Sequence, residues 1–113
     1  MDLVAEAYRL TEAFPAQEKY GLAQQLRRAA VSVPSNIAEG HGRDHLGEYL
    51  HHLSVAKGSL MELETQTLIA GRLGYVEKAD EARILGKAGE VSKMLSGLAR
   101  ALKQRRSNQG PST

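Results

Sequence analysis

Apolar residues recur at helical spacing in four segments of this chain. The first segment spans residues 2–13, and Pro15 ends it because proline disfavours helical geometry in the residue before it. The second segment spans residues 16–39. Its apolar stripe consists of Leu22, Leu26, Ala29, Ala30, Val33 and Ile37. A stripe at this spacing predicts an amphipathic helix in each of the two segments.

The second half of the chain repeats the pattern in two longer segments. Asp44 is the predicted N-cap of a third helix that runs to about Leu73, and the fourth helix spans about residues 77–105. The third apolar stripe consists of Leu46, Leu50, Leu53, Ala56, Leu60, Leu63 and Thr67. The fourth apolar stripe has residues spaced alternately four and three apart, as in a heptad seam. It consists of Ile84, Ala88, Val91, Leu95, Leu98 and Leu102.

Short connections between four amphipathic helices predict one all-α domain over residues 1–106. The fold class is an antiparallel up-and-down four-helix bundle. Residues 107–113 have no apolar content, and we predict a disordered C-terminal tail there.

Pro34 lies inside the second apolar stripe. One interpretation is a break, with Ser32 capping a new short helix, and the other is a continuous helix that is kinked at Pro34. The periodicity continues past the proline, which favours the kinked helix.

Composition narrows the protein class. The chain has 113 residues, and the absence of cysteine excludes disulfides and thiolate chemistry. Neither a signal peptide nor an apolar run of about 20 residues is visible, so we expect a soluble cytoplasmic protein with no membrane partner.

The formal net charge is only +2, but no acidic residue follows Glu90. The cations beyond it are Lys93, Arg100, Lys103, Arg105 and Arg106. They complement the dipole at a helix C-terminus in one interpretation, and bind phosphate in the other.

No pattern in the chain indicates catalysis, a cofactor or a metal. A bundle di-iron site needs two Glu-x-x-His motifs, and Glu48 with His51 supplies one. No serine stands in a strand-to-helix elbow, and no glycine-rich loop follows a strand.

Two groups of residues are candidates for structural or assembly roles. Arg28, Ser32, Asn36 and Glu39 share one face of the second helix, where we expect an arginine–carboxylate pair to orient neighbouring helices unless the arginines bind phosphate instead. A stripe of small residues on the third helix, formed by Gly47, Ser54, Gly58 and Thr65, is expected to let another helix approach closely.

The run from Leu26 to Gly40, LRRAAVSVPSNIAEG, resembles the hallmark of the 23S ribosomal RNA intervening-sequence proteins. The segments 14–22, 56–66 and 69–75 agree with it, so that the resemblance covers residues 3–102. The resemblance implies a bacterial four-helix bundle that assembles as a homopentameric ring. A related branch of the family consists of basic barrels that bind nucleic acid and a reverse transcriptase. Most members have no established biochemical activity.

We therefore expect a non-enzymatic homo-oligomer that binds RNA or a nucleic-acid-processing protein. The candidate contacts are Arg27, Arg28, Lys57, Arg72, Lys93, Arg100, Lys103, Arg105 and Arg106. Ser32, Pro34, Asn36, Glu39, Gly47, Ser54 and Gly58 are the candidates for structure and assembly. The alternative is an oligomeric scaffold for protein partners that does not contact nucleic acid.

Overall fold

Four helices form the chain, which we describe from a computed structural model covering residues 2–109, with side chains for residues 2–105. They are α1 (Asp2–Glu12), α2 (Leu22–His41), α3 (Leu46–Arg72) and α4 (Lys78–Gln109). Each helix packs against the next along the chain, and α1 also packs against α4, which closes the bundle. The predicted all-α four-helix bundle is confirmed, and the molecule measures 57 × 23 × 19 Å.

The predicted apolar stripes form one core. Leu3, Leu26, Leu60, Leu63 and Ile84 are the largest apolar side chains that are fully buried. They come from all four helices, so the core runs through the whole bundle. No helix within residues 2–109 is both long and apolar enough to cross a membrane.

The chain enters α2 through a short 3-10 helix, Ala16–Glu18, whereas the sequence predicted one continuous helix from Ala16. Gly21 interrupts it with a non-helical φ of −107° and ψ of −113°. The Glu18 carboxylate accepts a hydrogen bond from the backbone N–H of Leu22 at 3.2 Å, and so satisfies an amide that the helix start leaves free. A Cβ atom on Gly21 would lie 2.8 Å from this carboxylate.

Three further predictions about helix ends are resolved by the structure. Ser32 does not start a new helix, because α2 continues through Pro34; a kink at Pro34 stays a prediction. Asp44 is not an N-cap, because α3 starts at Leu46 after His45. The fourth helix continues to Gln109, so residues 107–109 are helical where we predicted disorder, and residues 110–113 lie outside the described residues.

One end of the bundle is held by contacts between two connecting segments. The Tyr75 hydroxyl donates a hydrogen bond to Glu18 Oε2 at 2.9 Å, and the Tyr75 ring lies 5.5 Å from the Phe14 ring. The bond to Glu18 raises the pKa of Tyr75 above its usual value of 10.0, and burial and the charge of Glu18 add to the shift. The α3–α4 turn is thereby joined to the 3-10 helix.

This pKa shift predicts a loss of stability at high pH. The pKa of Tyr75 is higher in the folded than in the unfolded chain, so the protonated hydroxyl stabilises the fold. This stabilisation is complete below pH 10.0 and is lost as the pH rises through the pKa of the folded state. We expect Tyr75→Phe to unfold at a lower temperature than wild type at pH 8, and the difference to shrink above pH 10. Thermal unfolding at both pH values measures it, and a constant difference would show that the hydroxyl is not responsible.

Candidate nucleic-acid interface

The cations of α4 lie mainly on the side of the helix that faces away from the core. Lys93 and Arg100 are seven residues apart, so they share one side of the helix, and both are exposed. Lys103 lies one turn beyond Arg100 and is also exposed. None of the three forms an ion pair among the described residues, so their charges face solvent.

A hydrogen bond between helices adds Lys57 of α3 to this group. Lys57 Nζ donates to Ser96 Oγ at 2.9 Å. Ser96 lies three residues after Lys93 and four before Arg100, positions that are neighbours on a helix surface. The structure thus brings together the cation face, which we define as Lys57, Lys93, Arg100 and Lys103.

Acidic residues are scarce around the cation face, and the one neighbour on its helices is Glu90, three residues before Lys93. The sequence of α3 has none between Glu48 and Glu62, and that of α4 has none after Glu90. Glu90 offsets part of the charge at Lys93, whereas Lys57, Arg100 and Lys103 have no acidic residue three or four positions away, and the surface suits phosphate.

The remaining candidate cations of the two long helices lie apart from this face. Arg72 is exposed at the other end of α3, about 22 Å along the helix from Lys57 at 1.5 Å per residue. Arg105 is exposed but lies on a different side of α4 from Lys93, and the side chain of Arg106 lies outside the described residues.

Arg27 joins α1 to α2. Its Nε donates to Thr11 Oγ1 at 2.6 Å, and its Nη2 donates to the carbonyl of Tyr8 at 3.4 Å. The guanidinium carbon lies 4.6 Å from the centre of the Tyr8 ring, within the range of a cation–π interaction. Arg27 is thus engaged within the chain, whereas Arg28 is exposed and forms no ion pair in the described part.

The polar strip on α2 forms a network with α3 instead of an arginine–carboxylate pair. Ser32 Oγ lies 2.8 Å from Ser59 Oγ, and Asn36 Nδ2 donates to the Ser32 carbonyl at 2.8 Å. His52 Nδ1 donates to Asn36 Oδ1 at 3.2 Å. We name Ser32, Asn36, His52 and Ser59 the polar network.

Neither Arg27 nor Arg28 forms the expected pair with a carboxylate within residues 2–105, and such a pair between subunits stays a prediction. Glu39 forms an ion pair with Arg43 in the α2–α3 connection, so this pair joins the last turn of α2 to the residues that follow it. His52 and Ser59 were not identified from the sequence. Their separation of seven residues on α3, facing Ser32 and Asn36, was the signal that could have revealed them.

The small residues of α3 do not receive another helix of the same chain, contrary to one of our expectations. An added Cβ on Gly47 or Gly58 would meet no heavy atom within 4 Å. Ser54 and Thr65 are exposed as well. A role of this stripe between subunits stays a prediction.

The histidines of α3 form no evident metal site. Within the part of the chain that the structure describes, no three His, Asp or Glu side chains are grouped as metal ligands would be.

We expect Arg27→Ala to lower the free energy of unfolding by about 1–3 kcal/mol, because it removes a charge-assisted hydrogen bond and the contact with Tyr8. Arg100→Ala, which removes an exposed arginine without partners, is the matched control and is expected within about 0.5 kcal/mol of wild type. Urea denaturation measures both. Equal effects of the two substitutions would show that Arg27 does not hold α1.

A double-mutant cycle tests the polar network. Asn36→Ala and His52→Ala are expected to show a coupling free energy of about 0.5–1.5 kcal/mol, since each removes a partner of the other. The stabilities of the two single variants and the double variant give the coupling. Additive effects would mean that the bond between Asn36 and His52 is not formed in solution.

Comparisons with known proteins agree with this architecture. The family model of the 23S rRNA-intervening sequence protein matches residues 1–97. A solved structure of a protein of unknown function from the S23 ribosomal protein family of Bacteroides thetaiotaomicron superposes with a TM-score of 0.80 at 18% sequence identity, covering 87% of this chain and 92% of that chain. At this identity the likeness concerns the fold alone. A comparison with curated protein sequences finds no match.

Because the family model spans most of the chain and its central motif lies on α2 of a four-helix bundle, this protein belongs to the 23S rRNA-intervening sequence protein family.

Proposed function

We propose that the protein is a non-enzymatic homo-oligomer of about five subunits that binds RNA, alone or in a ribonucleoprotein, through its cation face. The single observation that supports this most is the bond from Lys57 to Ser96, which adds a cation of α3 to those of α4. Four cations on one surface, with one acidic residue of their helices, Glu90, at its edge, match the chemistry of a phosphate backbone better than that of a small-molecule site.

Assembly is what gives such a face useful affinity. A chain with a net charge of +2 provides only a few phosphate contacts. Several copies that engage one RNA raise the effective concentration of each further contact, and overall affinity then exceeds that of one subunit by orders of magnitude. Few aromatic residues are available for base stacking, so we expect recognition of backbone and shape rather than of sequence.

The proposal predicts that removing the cation face weakens RNA binding. We expect Lys93→Gln/Arg100→Gln/Lys103→Gln to bind a structured RNA at least tenfold more weakly at low salt, and to lower the slope of log affinity against log salt. Fluorescence anisotropy with one labelled hairpin RNA at two salt concentrations measures both quantities.

The matched control removes three positive charges elsewhere, with Lys19→Gln/Lys78→Gln/Lys87→Gln. We expect near wild-type affinity from this control, since its residues lie outside the cation face. Equal weakening by both triple variants would mean that overall charge alone governs binding. Absence of RNA binding by a wild-type oligomer would favour the alternative, a scaffold for protein partners.

A further inference from the structure

We infer that the outer face of α2 in one subunit packs against the outer face of α3 in the next subunit. This inference rests on the proposed homo-oligomer and names the surfaces that would build it. The contact joins two different faces and can therefore repeat from subunit to subunit, and in the closed ring of the proposed homo-oligomer it leaves no face unpaired.

The outer face of α2 has the spacing of a helix–helix seam, yet nothing within residues 2–105 covers it. Its positions follow steps of four and three: Gln24, Arg28, Val31, Ser35, Ala38 and Gly42. All except the half-buried Gln24 are exposed. No acidic residue occurs from Leu22 to Ala38, so the only charge on this seam is positive.

The outer face of α3 has the same spacing and is also uncovered. Its positions are Gly47, His51, Ser54, Gly58, Met61 and Thr65, and all are exposed. Met61 exposes 62% of its surface to solvent. A glycine inside a helix costs about 0.5–1 kcal/mol relative to alanine, and neither Gly47 nor Gly58 accommodates a neighbour in its own chain. A contact from another chain would use the space that they leave.

The register of the contact follows from the fold itself. In the chain, Ser32 faces Ser59 and Asn36 faces His52, so the numbers of facing residues on α2 and α3 add up to about 90. Rotation about an axis parallel to the helices keeps every residue at its height, so α2 meets α3 of the next subunit in the same antiparallel register.

In that register the two seams match position by position. Val31 faces Gly58 of the next subunit, Ser35 faces its Ser54, and Arg28 faces its Met61, each pair adding up to 89. The other three pairs of the seams have the same sum. Val31 thus lies opposite a glycine and Ser35 opposite a second small residue, which lets the two helices approach closely at the middle of the seams, while Arg28 lies alongside Met61.

Charges favour the same pairing. Arg28 forms no ion pair in the described part of its own chain, and neither do Glu62 and Glu64 of α3. The register places Arg28 at the height of Glu62 of the next subunit. Opposite charges at the edge of a helix pair select the partner and the orientation. The outward side of α4 takes no part in the contact, so Lys93, Arg100 and Lys103 of the cation face stay free.

The absence of cysteine allows a direct cross-linking test. We expect the double variant Ser35→Cys/Ser54→Cys to form a ladder of covalent multimers on mild oxidation, because residue 35 of each subunit faces residue 54 of the next. Either single variant stays a single chain. Gels run with and without reductant measure the ladder.

A second double variant controls for the register. In Ser35→Cys/Thr65→Cys the second cysteine lies 11 residues further along α3, about 16 Å away, and no ladder is expected. A ladder from this control, or none from Ser35→Cys/Ser54→Cys in a protein whose native mass is that of an oligomer, would overturn the inference and leave the oligomer intact. A native mass of a single chain would instead refute the proposed oligomer itself.

A substitution at the seam tests the same contact without oxidation. We expect Gly58→Lys to reduce the native mass to that of a single chain while helicity is kept, because its own chain leaves the position open and the next subunit's Val31 and Arg28 would occupy that space. Gly86→Lys on α4 adds the same side chain at another open glycine and is expected to leave the native mass unchanged. An unchanged mass of Gly58→Lys would overturn the inference.

Discussion

The axial alignment of α2 and α3 is the constraint on which the rest of this structure depends. Apolar stripes that repeat every three or four residues do not by themselves oppose a slip by one heptad, which shifts a helix by about 10.5 Å. The polar network resists such a slip, because a displaced Asn36 or His52 would lose its partner in a half-buried position. The same alignment sets the relative heights of the outer seams on α2 and α3.

Charge is distributed unevenly along the bundle. Acidic residues concentrate where α1 meets the start of α4, for example Glu6 beside Arg83. All charged residues in the C-terminal half of α4, after Glu90, are cations, and the adjoining stretch of α3 adds Lys57. The chain as a whole thus has a small net charge, although one end of the bundle has a basic surface. An assembly of several subunits would present several such surfaces to one extended anion.

The helices and the core could be predicted from the sequence because apolar spacing directly records which side of a helix is buried. Ile84, Ala88 and Leu95 are buried as the heptad pattern predicted. Contacts over long sequence distances could not be predicted in this way. The partners of Arg27 are Thr11 and Tyr8, 16 and 19 residues earlier, and no local pattern identifies them.

Local rules also failed where a competing group was stronger. Asp44 has the right residue type for a cap, yet α3 starts only at Leu46. The 3-10 helix ends at Glu18, and Gly21 takes a non-helical conformation where a Cβ atom would crowd the Glu18 carboxylate that bonds to the start of α2. The small residues of α3 predicted the close approach of another helix, but the described part of their own chain does not provide it, and a contact between subunits stays a prediction. A monomer sequence does not state whether such a surface faces its own chain or another.

Native mass spectrometry of the wild-type protein, with and without a structured RNA at two salt concentrations, tests the account most directly. The account predicts an assembly of about five chains that takes up RNA at low salt and releases it as salt is raised, because phosphate contacts are screened. A single chain under all conditions, or RNA binding that does not respond to salt, would contradict it.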